Sequence, residues 1–264
     1  MNISPDITVE HRGSVAFVRI NRPQVANAVN PVAMQALCTA LDAAIADDGV
    51  KAIVLGHTGK HFMAGADLSF LESLKKASGE TARNDIYQHF QGAAKRLHLC
   101  PKPTIAAIGG AAITVGCELA LACDFRLVTS AAVFQESWIR LGLIPPLGGL
   151  KVLPALVGLG VARDMVLRAR AINGQEAVAL GLATELVEPG ALETRALEFA
   201  NELAAMAPLA YRSAKEGLRR SADGSLDESW AVNLLAQSLL IGTSDFREGV
   251  TAVQESRVPV FTGR

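Results

Sequence analysis

Residues 103–128, PTIAAIGGAAITVGCELALACDFRLV, constrain the fold more than any other stretch of the chain. Residues 104–108 form a compact apolar run of strand length. Gly109, Gly110, Ala111 and Ala112 follow with almost no side-chain bulk, so another backbone or a ligand can approach closely. Gly116 then opens an apolar helical turn that carries one charged residue, Glu118, before Asp124 and a second apolar run at 125–128. Strand, small-residue loop, short helix and strand follow one another within 26 residues. Glu118 falls in the first turn of the helix, where backbone N–H groups are unpaired and the dipole end is positive. Small residues, free N–H donors and one carboxylate suit a site that stabilises developing negative charge and moves a proton.

Upstream, residues 7–10 and 15–20 flank Arg12-Gly13-Ser14 as a β-hairpin. Asn30-Pro31 places an N-cap and a first-turn proline ahead of the amphipathic helix VAMQALCTALDAAIADD. Residues 51–55 read as a buried strand, and the glycine-rich loop GHTGKHFMAGAD follows it at a strand end, where α/β folds bind ligands. Residues 68–99 read as a polar connection and then a helix stopping at Pro101. Residues 130–149 read as irregular, with Pro145, Pro146, Gly148 and Gly149. From Leu150 helices dominate, interrupted by a short strand at 183–187, with Ser225 and Ser244 as expected caps. An α/β core over residues 1–190 followed by a helical region over 191–264 is the expected organisation.

Composition narrows the function classes. A formal net charge of -1 offers no electrostatic reason for a nucleic-acid or anionic-membrane partner. No apolar run reaches the ~18–20 residues of a membrane span, and the first residues carry no basic-then-apolar leader pattern. Cys38, Cys100, Cys117 and Cys123 show no CxxC pairing and read as buried thiols of a cytoplasmic protein. His57 and His61 are four apart in a glycine-containing turn, not the helix that a metal pair needs, so no metal site is expected.

Five ordered segments together resemble the enoyl-CoA hydratase/isomerase family, the crotonase superfamily. They are NRPQVANAVN, FMAGADLSFL, GCELALACDFRLV, LGLIPPLGGLKVLPALVG and the closing SDFREGVTAVQESRVPVFTGR, spread over residues 21–264. The resemblance implies an α/β fold of the crotonase-like type, a stacked β-β-α spiral with a C-terminal helical trimerisation region. It implies a homotrimer or a dimer of trimers. It further implies an acyl-CoA substrate, with coenzyme A arriving as part of that substrate and no permanently bound cofactor. In the family the thioester oxygen sits between two backbone N–H groups, which map here to Ala66 and Val115. The CoA-contacting segments map to Ala26, Ala28 and Val29, with Met63, Ala64 and Asp67 near the nucleotide. Asp67 also reads as a loop-ordering carboxylate. Phe261 is expected either to close a neighbouring subunit's CoA site or to anchor packing.

Family hydratases use two glutamates, and the first maps to Glu118. The second belongs four residues before the Gly of L-G-x-x-P; that Gly is Gly142, and the position holds Trp138. An indole donates a hydrogen bond but cannot exchange a proton near neutral pH. Glu136 lies two residues upstream. An extended segment would put Glu136 and Trp138 on one face about 6–7 Å apart and let Glu136 substitute; a helical one would send them to opposite sides. Otherwise Glu136 is a surface or loop-anchoring residue. Trp138 also resembles the chlorobenzoyl-CoA dehalogenase branch, but the aspartate nucleophile expected eight residues on is Pro146. Trp138 either shapes an acyl pocket or packs the core. Val115 adds bulk where the family places glycine. The expected activity is therefore enoyl-CoA hydration or isomerisation. Thioester hydrolysis, C–C cleavage and a non-catalytic acyl-CoA-binding role stand as alternatives.

Overall fold

The protein is described by a computed structural model covering residues 4–221 and 224–264. Strands β1 (Ile7–Arg12) and β2 (Val15–Ile20) form the expected antiparallel hairpin, turning at Gly13 with φ 60°. Helix α1 (Pro31–Ala46) starts where Asn30 accepts a hydrogen bond from Ala33 N–H at 3.0 Å, with Pro31 in the first turn. It leads to β3 (Ala52–His57). Residues 68–99 form α2 (Leu68–Leu74), α3 (Gly79–Asp85), a π-turn and α4 (Gln91–His98), so the expected polar connection is itself helical.

The central stretch folds as β4 (Thr104–Ile108), β5 (Ala111–Ile113), α5 (Val115–Ala122) and β6 (Phe125–Val128). Strand β7 (Val133–Gln135) and a 3-10 turn (Ser137–Leu141) give structure to part of the segment read as irregular. Beyond them lie α6 (Gly149–Leu167), β8 (Ala171–Asn173), α7 (Gly174–Ala179) and β9 (Glu185–Leu186). Helix α6 is broken at Gly158, whose φ of 76° is non-helical. The helices α8 (Leu192–Ala204), α9 (Pro208–Ser221), α10 (Leu226–Ile241) and α11 (Ser244–Glu255) complete the chain. Ser225 makes a capping box with Glu228. Ser244, by contrast, is the first helical residue of α11, and Thr243 is the cap, accepting from Phe246 N–H at 3.1 Å.

A six-stranded sheet runs β1-β2-β3-β4-β6-β9 and is parallel from β2 onward; a smaller sheet runs β5-β7-β8. Both faces of the large sheet are covered, which explains its apolar strands. Val18, Ile53, Leu55, Ala106 and Ile108 share one core with α1, α4 and α5, while Phe17, Val54, Ile105 and Leu127 pack against Ala196 and Ala200 of α8. Asp124 ties α9 to this core, accepting from Thr104 N–H at 2.9 Å and Lys215 Nζ at 2.8 Å. All four cysteines are buried and free. Among the described residues no helix is long and apolar enough to cross a membrane.

Candidate active site

Three backbone segments converge at the ends of β3 and β4. Residues 22–29 form a loop with Ala26 and Asn27 at φ 54° and 57°, pinned by buried Asn27. Asn27 accepts from Arg22 N–H at 2.7 Å and donates to the carbonyls of Thr58 and His61 at 2.8 and 2.6 Å. This loop is laced to residues 63–67: Ala64 N–H donates to Ala26 O, Val29 N–H to Gly65 O, and Asp67 N–H to Val29 O, at 3.1, 2.9 and 2.7 Å. The Arg22 guanidinium clamps the junction, donating to Ala28 O and to Asp67 at 3.2 Å. Asp67 also caps α2 through Ser69 N–H at 3.0 Å, and Ser69 and Arg22 hold its carboxyl below the usual range. Its bonds are those of a loop-ordering carboxylate.

The 63–67 segment then lies against residues 113–117. Met63, fully buried, uses its N–H on Ala111 O and its carbonyl on Ile113 N–H, at 2.8 and 2.9 Å. Two glycines make the approach possible. A Cβ on Gly116 would sit 2.5 Å from Met63 O, and one on Gly65 would collide with Thr114 Oγ1. Thr114 holds φ 47°, ψ -105°, outside the favoured regions for an L-residue. Strain of this kind costs on the order of 1–3 kcal/mol and survives only where the surroundings impose it. It starts α5 so that Val115 N–H is among the donors a helix leaves unpaired. Within the described residues, neither Ala66 N–H nor Val115 N–H donates to another protein group.

Glu118, on α5, is 2% exposed. Its Oε2 accepts from Leu147 N–H at 2.8 Å and Gly149 N–H at 2.9 Å, at the start of α6, while Oε1 has no partner. The glycine pair at 148–149 has a physical reason: Gly148 takes φ 118°, and a Cβ on Gly149 would sit 3.0 Å from Glu118 Oε2. Burial pushes Glu118 up to about 7, against the pull of these N–H donors.

Glu136 is completely buried, and neither carboxyl oxygen makes a hydrogen bond. It is therefore neither a surface nor a loop-anchoring residue. Burial first, and the charge of Glu118 second, push its pKa well above the ordinary carboxyl value. The backbone at Glu136 is neither a continued strand nor yet a helix (φ -98°, ψ 74°), and the 3-10 turn begins at Ser137. That single bent residue lets both Glu136 and Trp138 face Glu118. Trp138 Nε1–H is buried without a hydrogen-bond partner beside the two carboxyl groups. The Cys117 thiol also faces Glu136.

A cavity of about 460 Å³ adjoins this group, with Ala66 and Trp138 in its wall beside Phe70, Leu74, Phe90 and Ile144. Trp138 thus packs in the core and lines the cavity at once. Ala26, Ala28, Val29, Met63, Ala64, Ala66 and Asp67 come together in the laced loops, and Val115, Glu118, Glu136 and Trp138 form the adjoining cluster. Phe261 does not join them; it packs near Gly249 of α11 in a separate cavity among α9, α10 and α11. The N–H groups of Leu147 and Gly149 escaped sequence reasoning, although the Gly148-Gly149 pair signalled a close approach. The walls supplied by α2 and by Phe90 escaped it too, because the polar run at 75–85 between them marks the stretch as a connection.

The sequence profile described as Enoyl-CoA hydratase/isomerase matches residues 10–264. The short-chain-enoyl-CoA hydratase of Clostridium acetobutylicum is 33% identical over 256 residues, covering 96% of this chain and 95% of that protein. The 2,3-dehydroadipyl-CoA hydratase of Escherichia coli is 34% identical over 259 residues, covering 98% and 99%. Among solved structures, an enoyl-CoA hydratase from Polaromonas sp. JS666 superposes with a TM-score of 0.93 at 29% identity, covering 97% of this chain and 99% of that one. One from Bacillus anthracis gives 0.91 at 31% identity, covering 98% and 100%.

Proposed function

The chain belongs to the enoyl-CoA hydratase/isomerase family, with its crotonase fold and its acyl-CoA chemistry, and on that footing we propose that it hydrates 2-enoyl-CoA thioesters with Glu118 and Glu136 as the proton-handling pair. The observation that carries this reading is the pair itself: two buried carboxyl groups with three of their four oxygens unpartnered, close enough for the charge of Glu118 to raise Glu136. Two such groups with their affinities pushed apart supply one base and one acid at the same pH.

Ala66 N–H and Val115 N–H receive the thioester oxygen, where negative charge grows as water adds; each such donor is worth roughly 2.7–4 kcal/mol in comparable sites. Glu118, held by two backbone N–H donors, is the member that ionises first and takes a proton from the attacking water. Glu136, kept neutral, gives its proton to the carbon next to the thioester. The water oxygen bonds to the next carbon, and the double bond is consumed. Trp138 occupies the position of the family's second glutamate, forms the cavity wall, and turns its N–H toward both carboxyls. The laced loops at 26–29 and 63–67 cradle the CoA. No bound cofactor enters these steps.

Crotonyl-CoA hydration, followed by loss of the enoyl-thioester absorbance, tests the assignment with Glu118→Gln and Glu136→Gln in parallel. Each variant is expected to lose about 10²–10⁴-fold in kcat, the range for general acid–base groups. A second reading, single-base isomerisation by Glu118, is favoured by the complete burial of Glu136. It replaces the first if the wild type leaves crotonyl-CoA unhydrated but converts a 3-enoyl-CoA to the 2-enoyl isomer, an activity lost in Glu118→Gln and kept in Glu136→Gln.

Residues 191–264 cover one sheet face through α8 and offer α10 for assembly into a trimer or a dimer of trimers; α10 leaves Trp230, Leu234, Leu235 and Leu239 exposed. Phe261 then packs the C-terminal helices that carry this surface. Four free thiols suit a cytoplasmic setting.

A further inference from the structure

We propose that Arg83 selects acyl groups ending in a carboxylate, so that the preferred substrates are CoA thioesters of dicarboxylic acids; the assignment deepens the acyl-CoA reading above and rests on it. Among the described residues, the cavity that begins at Ala66 and Trp138 is apolar in every wall but one. Phe70, Leu74, Phe90 and Ile144 suit a hydrocarbon chain. Arg83, on α3, is the one charged side chain among the described residues of its lining. It makes no hydrogen bond or ion pair with any other described residue.

A guanidinium is always charged and offers planar, paired donors that match a carboxylate. A methyl terminus leaves it unpaired and gains only ordinary apolar contact. A terminal carboxylate completes a charge-assisted pair, and because Arg83 is exposed the carboxylate keeps part of its hydration. Capture of a CoA phosphate is the competing use of the same cation. The cavity favours the acyl terminus: Arg83 shares walls with Ala66, whose N–H faces the thioester carbonyl, and not with the laced loop at residues 26–29.

The test uses saturated thioesters, which do not turn over, so binding preference is read independently of hydration. Adipyl-CoA and hexanoyl-CoA are titrated calorimetrically against the full-length protein, its Arg83→Gln variant and its Arg83→Lys variant. The wild type is expected to bind adipyl-CoA more tightly. Arg83→Gln should lose roughly fivefold of that preference, the scale of a solvent-exposed ion pair, with hexanoyl-CoA affinity unchanged. Arg83→Lys should keep part of it. Equal weakening of both thioesters would assign Arg83 to the CoA phosphates and overturn the proposal, as would an unchanged ratio. The same ratio is then read as kcat/KM on the matching six-carbon 2-enoyl thioesters. A binding preference without hydration would overturn the hydratase reading while leaving Arg83 its role.

Discussion

Glu118 ionises in a place where water is nearly absent, and that has consequences for both stability and rate. Its folded-state pKa of about 7 lies above the ordinary carboxyl value of 4.5. The folded protein therefore binds more protons than the unfolded chain between those values. Stability must fall as pH rises from about 4.5 to about 7, and level off above. Glu136, raised by burial and by Glu118, extends the same trend upward. Chemical denaturation of wild type and Glu118→Gln at pH 5 and pH 8 checks this: the variant should lose much of the slope and gain relative stability at pH 8. Activity moves the other way. On the proposed mechanism the ionised Glu118 is the base, so kcat/KM for crotonyl-CoA should rise through about pH 7. A profile flat from pH 5 to 8 would remove Glu118 from proton transfer.

At the scale of elements, the loops at 63–67 and 113–117 behave as one object because each is built around a missing Cβ in the other's path. Gly116 accommodates Met63 O, and Gly65 accommodates Thr114 Oγ1. Gly116→Ala must push residues 63–67 and 113–117 apart, carrying Ala66 N–H away from Val115 N–H. A displacement near 1 Å can cost about 10²-fold in rate. The expected outcome is a loss of that order in kcat with a modest drop in Tm, read by steady-state kinetics and thermal melting. Thr114, the strained residue between β5 and α5, was legible only as one letter in a small-residue run. Its unusual φ and ψ are imposed by Thr114 N–H bonding Gln135 O at 2.8 Å on one side and by Gly65 on the other.

For the whole molecule, α10 is the element least explained by a single chain. Leu235 and Leu239 are 69% and 77% exposed, on a helix with no buried residue. An apolar helix of this kind needs a partner surface. Sedimentation of the wild type is expected to show a trimer or hexamer, and Leu235→Glu is expected to shift it to smaller species. A wild type that sediments as a monomer at micromolar concentration would end the assembly proposal.

Much of the architecture was present in the order of the amino acids. Asn30-Pro31 starts α1, Gly13 turns the hairpin, and the apolar runs at β3 and β4 announce a sheet covered on both faces, because each rests on local backbone preference or on burial alone. The small-residue loops and the lone carboxylate on α5 were legible for the same reason. The relation between Glu118 and Glu136 was not. It depends on one bent residue between β7 and a 3-10 turn, and neighbouring propensities leave that backbone undecided between strand and helix. Nor could sequence show that Leu147 and Gly149, about 30 residues downstream, would aim their N–H groups at Glu118, or that α3 would bring Arg83 to an apolar chamber. Local sequence sets which residues can donate, accept or carry charge. Which of them meet is settled by packing between elements distant in the chain, where burial raises a carboxyl's proton affinity and a missing Cβ decides how closely two backbones approach.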